Sequence, residues 1–566
     1  MFLLSLLACA PNPVRLVPAD LSIRATTPGP AGGTLTVTPV PVPLGEARLV
    51  VTAATSGSWR GAPFAFAWQP LAHTGDRIGA HDFGARTTRS GVPIAEWCQG
   101  LDATGIVRVG DGHRMVTHFE CHPGAIYVSD VEEVAGRLSL TATRPVDLRP
   151  VEGGYYYCAG TPSGWGTHLA AQEYEADVRK LLPDGTVSDD YEGYNQMRTW
   201  WDGDLSPSHP WMYGWVVEVP LADGDPGAAT ERYAMGRFSH EMALVMPDRQ
   251  TVYLSDDTGP SGALFLFRAD RPGDLSAGTL WAARFAPAER KDVHSLSWVS
   301  LGHADDAEVA AAVTRRASFE ELFEVAAPAG GTCPGGLAHV RTPFGEECLR
   351  IRPGMEAAAT RLESRRAAAV LGATTELTKA EGLAFAEEEK ALFLAVSRFG
   401  GGSAAGPWAA GRDDLRLTEN RCGGVLRLDL GPSPAGGPGG EWVAGRAAVA
   451  LAGVPEGEGC SADSIANPDN LAWIAGAGTL AVAEDSPHHA NNALWFHDPT
   501  LGTLARVLTV PLGAEVSGLH WTPDIGGHGY LSVAVQGPFS NDPSAPAEAK
   551  RSVAGVLGPF PGTGRR

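Results

Sequence analysis

A unit that recurs four times constrains this chain more than any other feature. An acidic residue leads, followed by two or three apolar residues, a turn, a short β-rich run, a loop and a second run. It starts at Glu241 in HEMALVMPDRQTVYLS, at Glu381 in EGLAFAEEEKALFLAV, at Asp469 in DNLAWIAGAGTLAVAEDS and at Glu515 in EVSGLHWTPDIGGHGYLSVAV. The leading acids are 140, 88 and 46 residues apart, spacings that read as three, two and one steps of about 45 residues. A strand–turn–strand unit of that length cannot bury its own apolar face. Repeated around an axis it makes the blade of a β-propeller. Equivalent positions on successive blades then converge on one end of a central channel. Carboxylates gathered there repel one another unless protons or cations intervene, so the repeat predicts a site for hard metal ions.

The rest of the chain agrees with an all-β fold. Its 70 Gly and 43 Pro supply breakers between short strands, and 44% hydrophobic residues suffice for a large core. Two stretches near 304–327 and 354–371 carry helical patterning and read as insertions. With 44 basic and 65 acidic residues the formal charge is −21, which excludes a generic nucleic-acid binder. No P-loop, G-x-S-x-G or dinucleotide fingerprint is present, and His240-Glu241 lacks the second His of a zincin because position 244 is Leu.

At the amino terminus, Leu6-Leu7-Ala8-Cys9 resembles a bacterial lipobox, which makes Cys9 the expected lipid anchor. The organisation expected is a lipoprotein-like signal over 1–9 and a Pro/Gly-rich tether over 10–43. A single propeller follows over 44–545, then a C-terminal tail over 546–566. Such a protein is exported, as a periplasmic or cell-surface lipoprotein. No window has 18 consecutive apolar residues, so no transmembrane helix is expected.

Several segments match one family in order. Cys158 to Glu173, CAGTPSGWGTHLAAQE, resembles the C-[AS]-G-G-x-T-P-W-G-T-W-L-T-C-E-E signature of the PhoX-type alkaline phosphatases. Gly236-Arg237-Phe238-Ser239-His240-Glu241 followed by Tyr253-Leu254-Ser255-Asp256-Asp257 is similar to the family's G-R-F-x-H-E and Y-[LV]-T-E-D. Lys379-Ala380-Glu381-Gly382 resembles its R-P-E-G, Pro468-Asp469-Asn470 its P-D-N, and Glu515-Val516-Ser517-Gly518 its E-x-T-G. The resemblance implies a six-bladed propeller that hydrolyses phosphate monoesters outside the cytoplasm, with a cysteine-bridged pair of iron ions beside calcium. It implies Cys158 as the bridging thiolate. Glu173, Glu241, Glu381, Asp469 and Glu515 become carboxylate ligands, with Asp257 as a further calcium candidate. Asp256, Asp485, His118 and Glu120 are secondary candidates, and His240 is expected to pack rather than ligate.

The departures bear on activity. Lys379 stands where the family carries an Arg, keeping the charge but losing the bidentate fork, and Gln172 replaces the first acid of the E-E pair. With Cys9 and Cys158 so assigned, Cys98, Cys121, Cys333, Cys348, Cys422 and Cys460 remain. Neighbour pairing is the simplest of their fifteen connectivities. The expected partner is a small phosphate ester, with no nucleic acid, a monomeric state and membrane attachment through the N-terminal lipid. Two other functions fit the sequence: a non-catalytic calcium-binding surface propeller, and a lactonase-like calcium propeller hydrolase.

Overall fold

The computed structural model describes residues 34–190, 193–221, 224–288, 290–406 and 412–563. Cys9 and the first part of the expected tether lie outside them. Six antiparallel blades, each led by the strand nearest the axis, form a propeller. A strand β1 (Ala67–His73) precedes the ring. The leading strands are β2 (Leu101–Val109), β3 (Tyr157–Pro162), β4 (His240–Val245), β5 (Ala380–Ala386), β6 (Pro468–Ile474) and β7 (Glu515–Ile525). Blades three and four share one nine-stranded sheet, because Val293–Ser295 of a long hairpin pairs with Arg446–Ala448. Alternating apolar residues pack blade against blade, as where Phe393 of the fourth stacks on Trp473 of the fifth at 5.6 Å.

Successive leading acids therefore sit one blade apart throughout, not three, two and one. The 140 residues from Glu241 to Glu381 hold an insertion of helices α1 (Asp306–Thr314), α2 (Phe319–Leu322), α3 (Glu356–Leu362) and α4 (Ser364–Leu371) with a three-stranded sheet. The 88 residues to Asp469 hold a long loop after Ala391–Val396. Only the last step is free of insertions.

Both ends of the expected domain need correction. Residues 553–561, expected within a tail, form strand β8 (Val553–Pro561), which pairs with His528–Gln536 on one side and β1 on the other. The ring thus closes with one strand from each end of the chain. Val553, Ala554, Val556, Leu557 and Phe560 are buried, a run that Pro546 and the charged turn before it disguise in the sequence. Residues 34–43 are not a free tether either. Leu35–Val37 pairs with Ser56–Trp59, and the Val40 amide donates to the Arg506 carbonyl of the fifth blade. Disulfides join Cys98 to Cys121, Cys333 to Cys348 and Cys422 to Cys460.

Candidate metal centre at the head of the channel

Each leading strand carries one side chain of a metal-ligating type near its first residue. Asp102, Cys158, Glu241, Glu381 and Asp469 are the second residues of β2 to β6, and Glu515 is the first of β7. In β2 to β6 the ladder slips just there, between Leu101 and Thr104, Tyr157 and Gly160, His240 and Met242, Ala380 and Leu383, and Pro468 and Leu471. A bulge of this kind releases a side chain from strict alternation and re-aims it. In β7 the slip follows Ser517 instead, so Glu515 stands ahead of the irregularity rather than within it. A second set follows the neighbouring strand of four blades: Glu120 after Phe119, Glu173 after Gln172, Asp257 after Asp256 and Asp485 after Glu484.

These side chains meet. Ligand atoms lie within 4.8 Å of one another in three groups, Asp102–Cys158–Glu241, Glu120–Cys158–Glu173 and Glu241–Glu381–Asp469. Cys158 belongs to two groups and Glu241 to two, so the three form one continuous cluster. Cys158 Sγ is 2.8 Å from Asp102 Oδ2 and 2.8 Å from Glu241 Oε2. Asn470 donates to Asp469 Oδ1 at 2.9 Å while its own carbonyl accepts the Gly518 amide, and Gln536 donates to Glu120 Oε2 at 2.6 Å. Glu515 and Asp257 stand outside the three groups. Asp257 accepts Lys379 Nζ at 2.6 Å and the Tyr174 hydroxyl at 3.2 Å, and Lys379 also lies 3.1 Å from Glu381.

Electrostatics give the site its character. Burial, reinforced by the neighbouring carboxylates, pushes Glu120, Glu173, Glu241, Glu381, Asp469 and Glu515 well above the usual carboxylate range. Burial raises Asp102 to about 6, and burial with the Asp102 and Glu241 charges raises the Cys158 thiol. Asp257 is the exception: burial would raise it, but the Lys379 ammonium beside it holds it low. So many carboxylates around one sulfur and one ammonium make a candidate cation site. Asp102 Oδ1, Glu173 Oε1 and Asp257 Oδ1 are buried with no partner among the described residues, as ligand atoms would be. The donors fit the expected ions: oxygen-only groups suit calcium, and the shared sulfur suits a softer metal such as iron.

The surroundings hold this geometry fixed. Tyr156, Lys379 and Asn467 each sit two residues before a candidate ligand, Cys158, Glu381 and Asp469, at φ of 42°, 55° and 42°. Left-handed backbone at non-glycine residues is costly and clusters where function demands it. Arg365 of α4 grips both Asp256, with bonds of 2.8 and 2.7 Å, and Glu175 at 2.7 Å. The helical insertion thereby locks the two loops that carry Asp257 and Glu173. Behind Cys158, His118 donates from Nδ1 to the Cys158 carbonyl at 2.8 Å and meets His168 at 3.0 Å. Gly160 is required beside them, since a Cβ there would lie 2.3 Å from His118 Cε1. His240 packs through a 2.9 Å contact to the Gly236 carbonyl.

Sequence reasoning missed Asp102. Its segment, LDATGIV, follows the acid with Ala-Thr-Gly rather than an apolar pair, so the recurring unit does not show. The signal available was the β-rich run that follows it, one blade ahead of Cys158. Glu120 was only a secondary candidate, yet it shares Cys158 with Glu173. Asp485 is exposed, at the rim.

The family model for alkaline phosphatase PhoX matches residues 132–538. Among solved structures, Pseudomonas fluorescens PhoX in complex with vanadate, a transition state analogue, is similar with a TM-score of 0.62 and 16% identity, covering 93% of this chain and 98% of that one. A Trypanosoma rangeli sialidase mutant with trans-sialidase activity aligns with a TM-score of 0.37 and 6% identity, over 87% of this chain and 58% of that one. The search of curated proteins found no match.

Proposed function

The chain belongs to the PhoX alkaline phosphatase family, and from that membership we propose that it is a metal-dependent phosphomonoesterase acting outside the cytoplasm at a centre of iron and calcium. The observation that carries the reading is Cys158, a single buried sulfur shared by two groups of acidic ligand atoms. Asp102, Glu120, Cys158, Glu173 and Glu241 would hold iron around the thiolate, and Glu241, Glu381, Asp469, Glu515 and Asp257 would hold calcium. Bound there, the ions supply positive charge that binds phosphate oxygens and stabilises the transition state of phosphoryl transfer. That the Pseudomonas fluorescens relative binds vanadate, a transition state analogue, supports a phosphoryl-transfer site in this family.

The chain's own residues do the rest. Lys379, in place of the family's Arg, offers the phosphate a point charge from a strained backbone position partly open to solvent. Asp257 and Glu381 hold that ammonium at the rim of the cluster; burial alone would lower Lys379, but the charges of Asp257, Glu381 and Glu173 raise it well above its ordinary value, so it stays charged. The Tyr174 hydroxyl, bonded to Asp257, fixes the acid's orientation. In our reading the protein is a monomeric exported lipoprotein anchored through Cys9. One observation favours a second reading, a calcium-binding surface propeller without turnover: Lys379 is already engaged by two acids.

The test is turnover. Protein loaded with iron and calcium is expected to release phosphate from phenyl phosphate, and Cys158→Ala to lose both the iron and at least 99% of the rate. Absent turnover in the parent, or a Cys158→Ala variant equal to it, refutes the phosphatase reading.

A further inference from the structure

A cavity of about 1150 Å³ opens beside the cluster, lined by Glu120 of the cluster and by Tyr156 and Tyr174 next to it. That is several times the space a phosphoryl group requires, and it matches the size of pockets that enclose a whole organic ligand. If phosphate is held at the cluster, the cleft is where the rest of the ester must lie.

Its walls are partly aromatic. Trp97 stands on one wall, 40% exposed, with the indole laid over Gly75, where a Cβ would be 3.4 Å from the ring. The Cys98–Cys121 disulfide joins the residue after Trp97 to the residue after Glu120. The bridge ties the indole to the strand end that carries a cluster residue. Tyr156 contributes a second ring, stacked on His122 at 4.7 Å and held by its left-handed backbone. Arg198 also lines the cleft and is exposed, its Nη1 donating to the Gly203 carbonyl. One face of the indole covers Gly75, and the exposed 40% of Trp97 is open to the cleft and available to a ligand.

We infer that this cleft is the leaving-group subsite and that it selects monoesters whose leaving group is a planar ring, stacked on Trp97 beside Tyr156. The inference rests on the phosphatase reading. Ring stacking of this sort is sequence-tolerant chemistry, taking any flat π-system, and it rejects small aliphatic alcohols only by offering them nothing.

The experiment compares kcat/KM for phenyl phosphate and for glycerol 2-phosphate in the metal-loaded parent, Trp97→Ala and Trp97→Phe. The ratio of the two constants is expected to fall about tenfold in Trp97→Ala and to recover most of that loss in Trp97→Phe. A ratio unmoved by Trp97→Ala, or both constants falling together, overturns the inference while leaving the phosphatase reading standing. A parent that turns over neither ester overturns both.

Discussion

Arg365 links the helical insertion to the metal centre, and its removal has a calculable cost. Its guanidinium makes five bonds: to Asp256 Oδ2 at 2.8 Å and Oδ1 at 2.7 Å, to Glu175 Oε1 at 2.7 Å and Oε2 at 3.5 Å, and to Thr258 Oγ1 at 2.6 Å. Arg365→Met keeps the bulk of the stem but strands two buried carboxylates. Removing one partner of a buried ion pair costs about 3–5 kcal/mol, because the charge left behind has no water to return to. With an unfolding entropy of about 2 cal/mol/K per residue, a chain of this size loses about 1 °C of midpoint per kcal/mol. Calorimetry is therefore expected to show the midpoint lowered by about 3–5 °C. Adding Asp256→Asn and Glu175→Gln should restore much of it, since the stranded charges are then gone. The loops carrying Asp257 and Glu173 also lose their common anchor, so metal affinity is expected to drop about 10–100-fold, the usual cost of losing a group that orients ligands. A midpoint within about 1 °C of the parent with metal affinity within about twofold would refute the claim that the insertion positions the site.

Truncation after residue 545 removes β8 and reopens the ring. Burying each large apolar side chain is worth about 1.5–3 kcal/mol. Losing Val553, Val556, Leu557 and Phe560 together consumes most of the roughly 5–15 kcal/mol that keeps a domain folded. Size-exclusion chromatography should show no soluble monomer. Chelated protein should respond to Asp102→Asn with a pH-dependent gain. The folded carboxyl titrates near 6, above its ordinary value of 3.8, so it holds its proton when the unfolded chain has lost one. Its cost to stability is absent below the unfolded value and complete above the folded one, at about 3 kcal/mol for a shift of that size. The variant should match the parent near pH 4 and exceed it at pH 7 without metal, and fall below it once metal is restored.

What the sequence revealed follows from how propellers are built. Glu241, Glu381 and Asp469 are legible because each is followed by apolar residues that must face the blade interior, and that pattern is local. Asp102 lacks that pattern, and Glu120, Glu173 and Asp257 follow outgoing strands where nothing local distinguishes a ligand from a turn cap. The family signature, not the repeat, singled out Glu173 and Asp257. Ring closure was illegible because β1 and β8 are far apart in the chain and pair only when the ring forms. Arg365 was hidden for the same reason: its partners Asp256 and Glu175 lie 109 and 190 residues away.

The central claim, that these acids and one sulfur form a mixed iron–calcium centre, is tested most directly by elemental analysis of protein purified without chelators. Iron in stoichiometric amount, accompanied by calcium and lost on Cys158→Ala while calcium stays, is the expected result. Calcium alone, or iron content unaffected by that substitution, would contradict it.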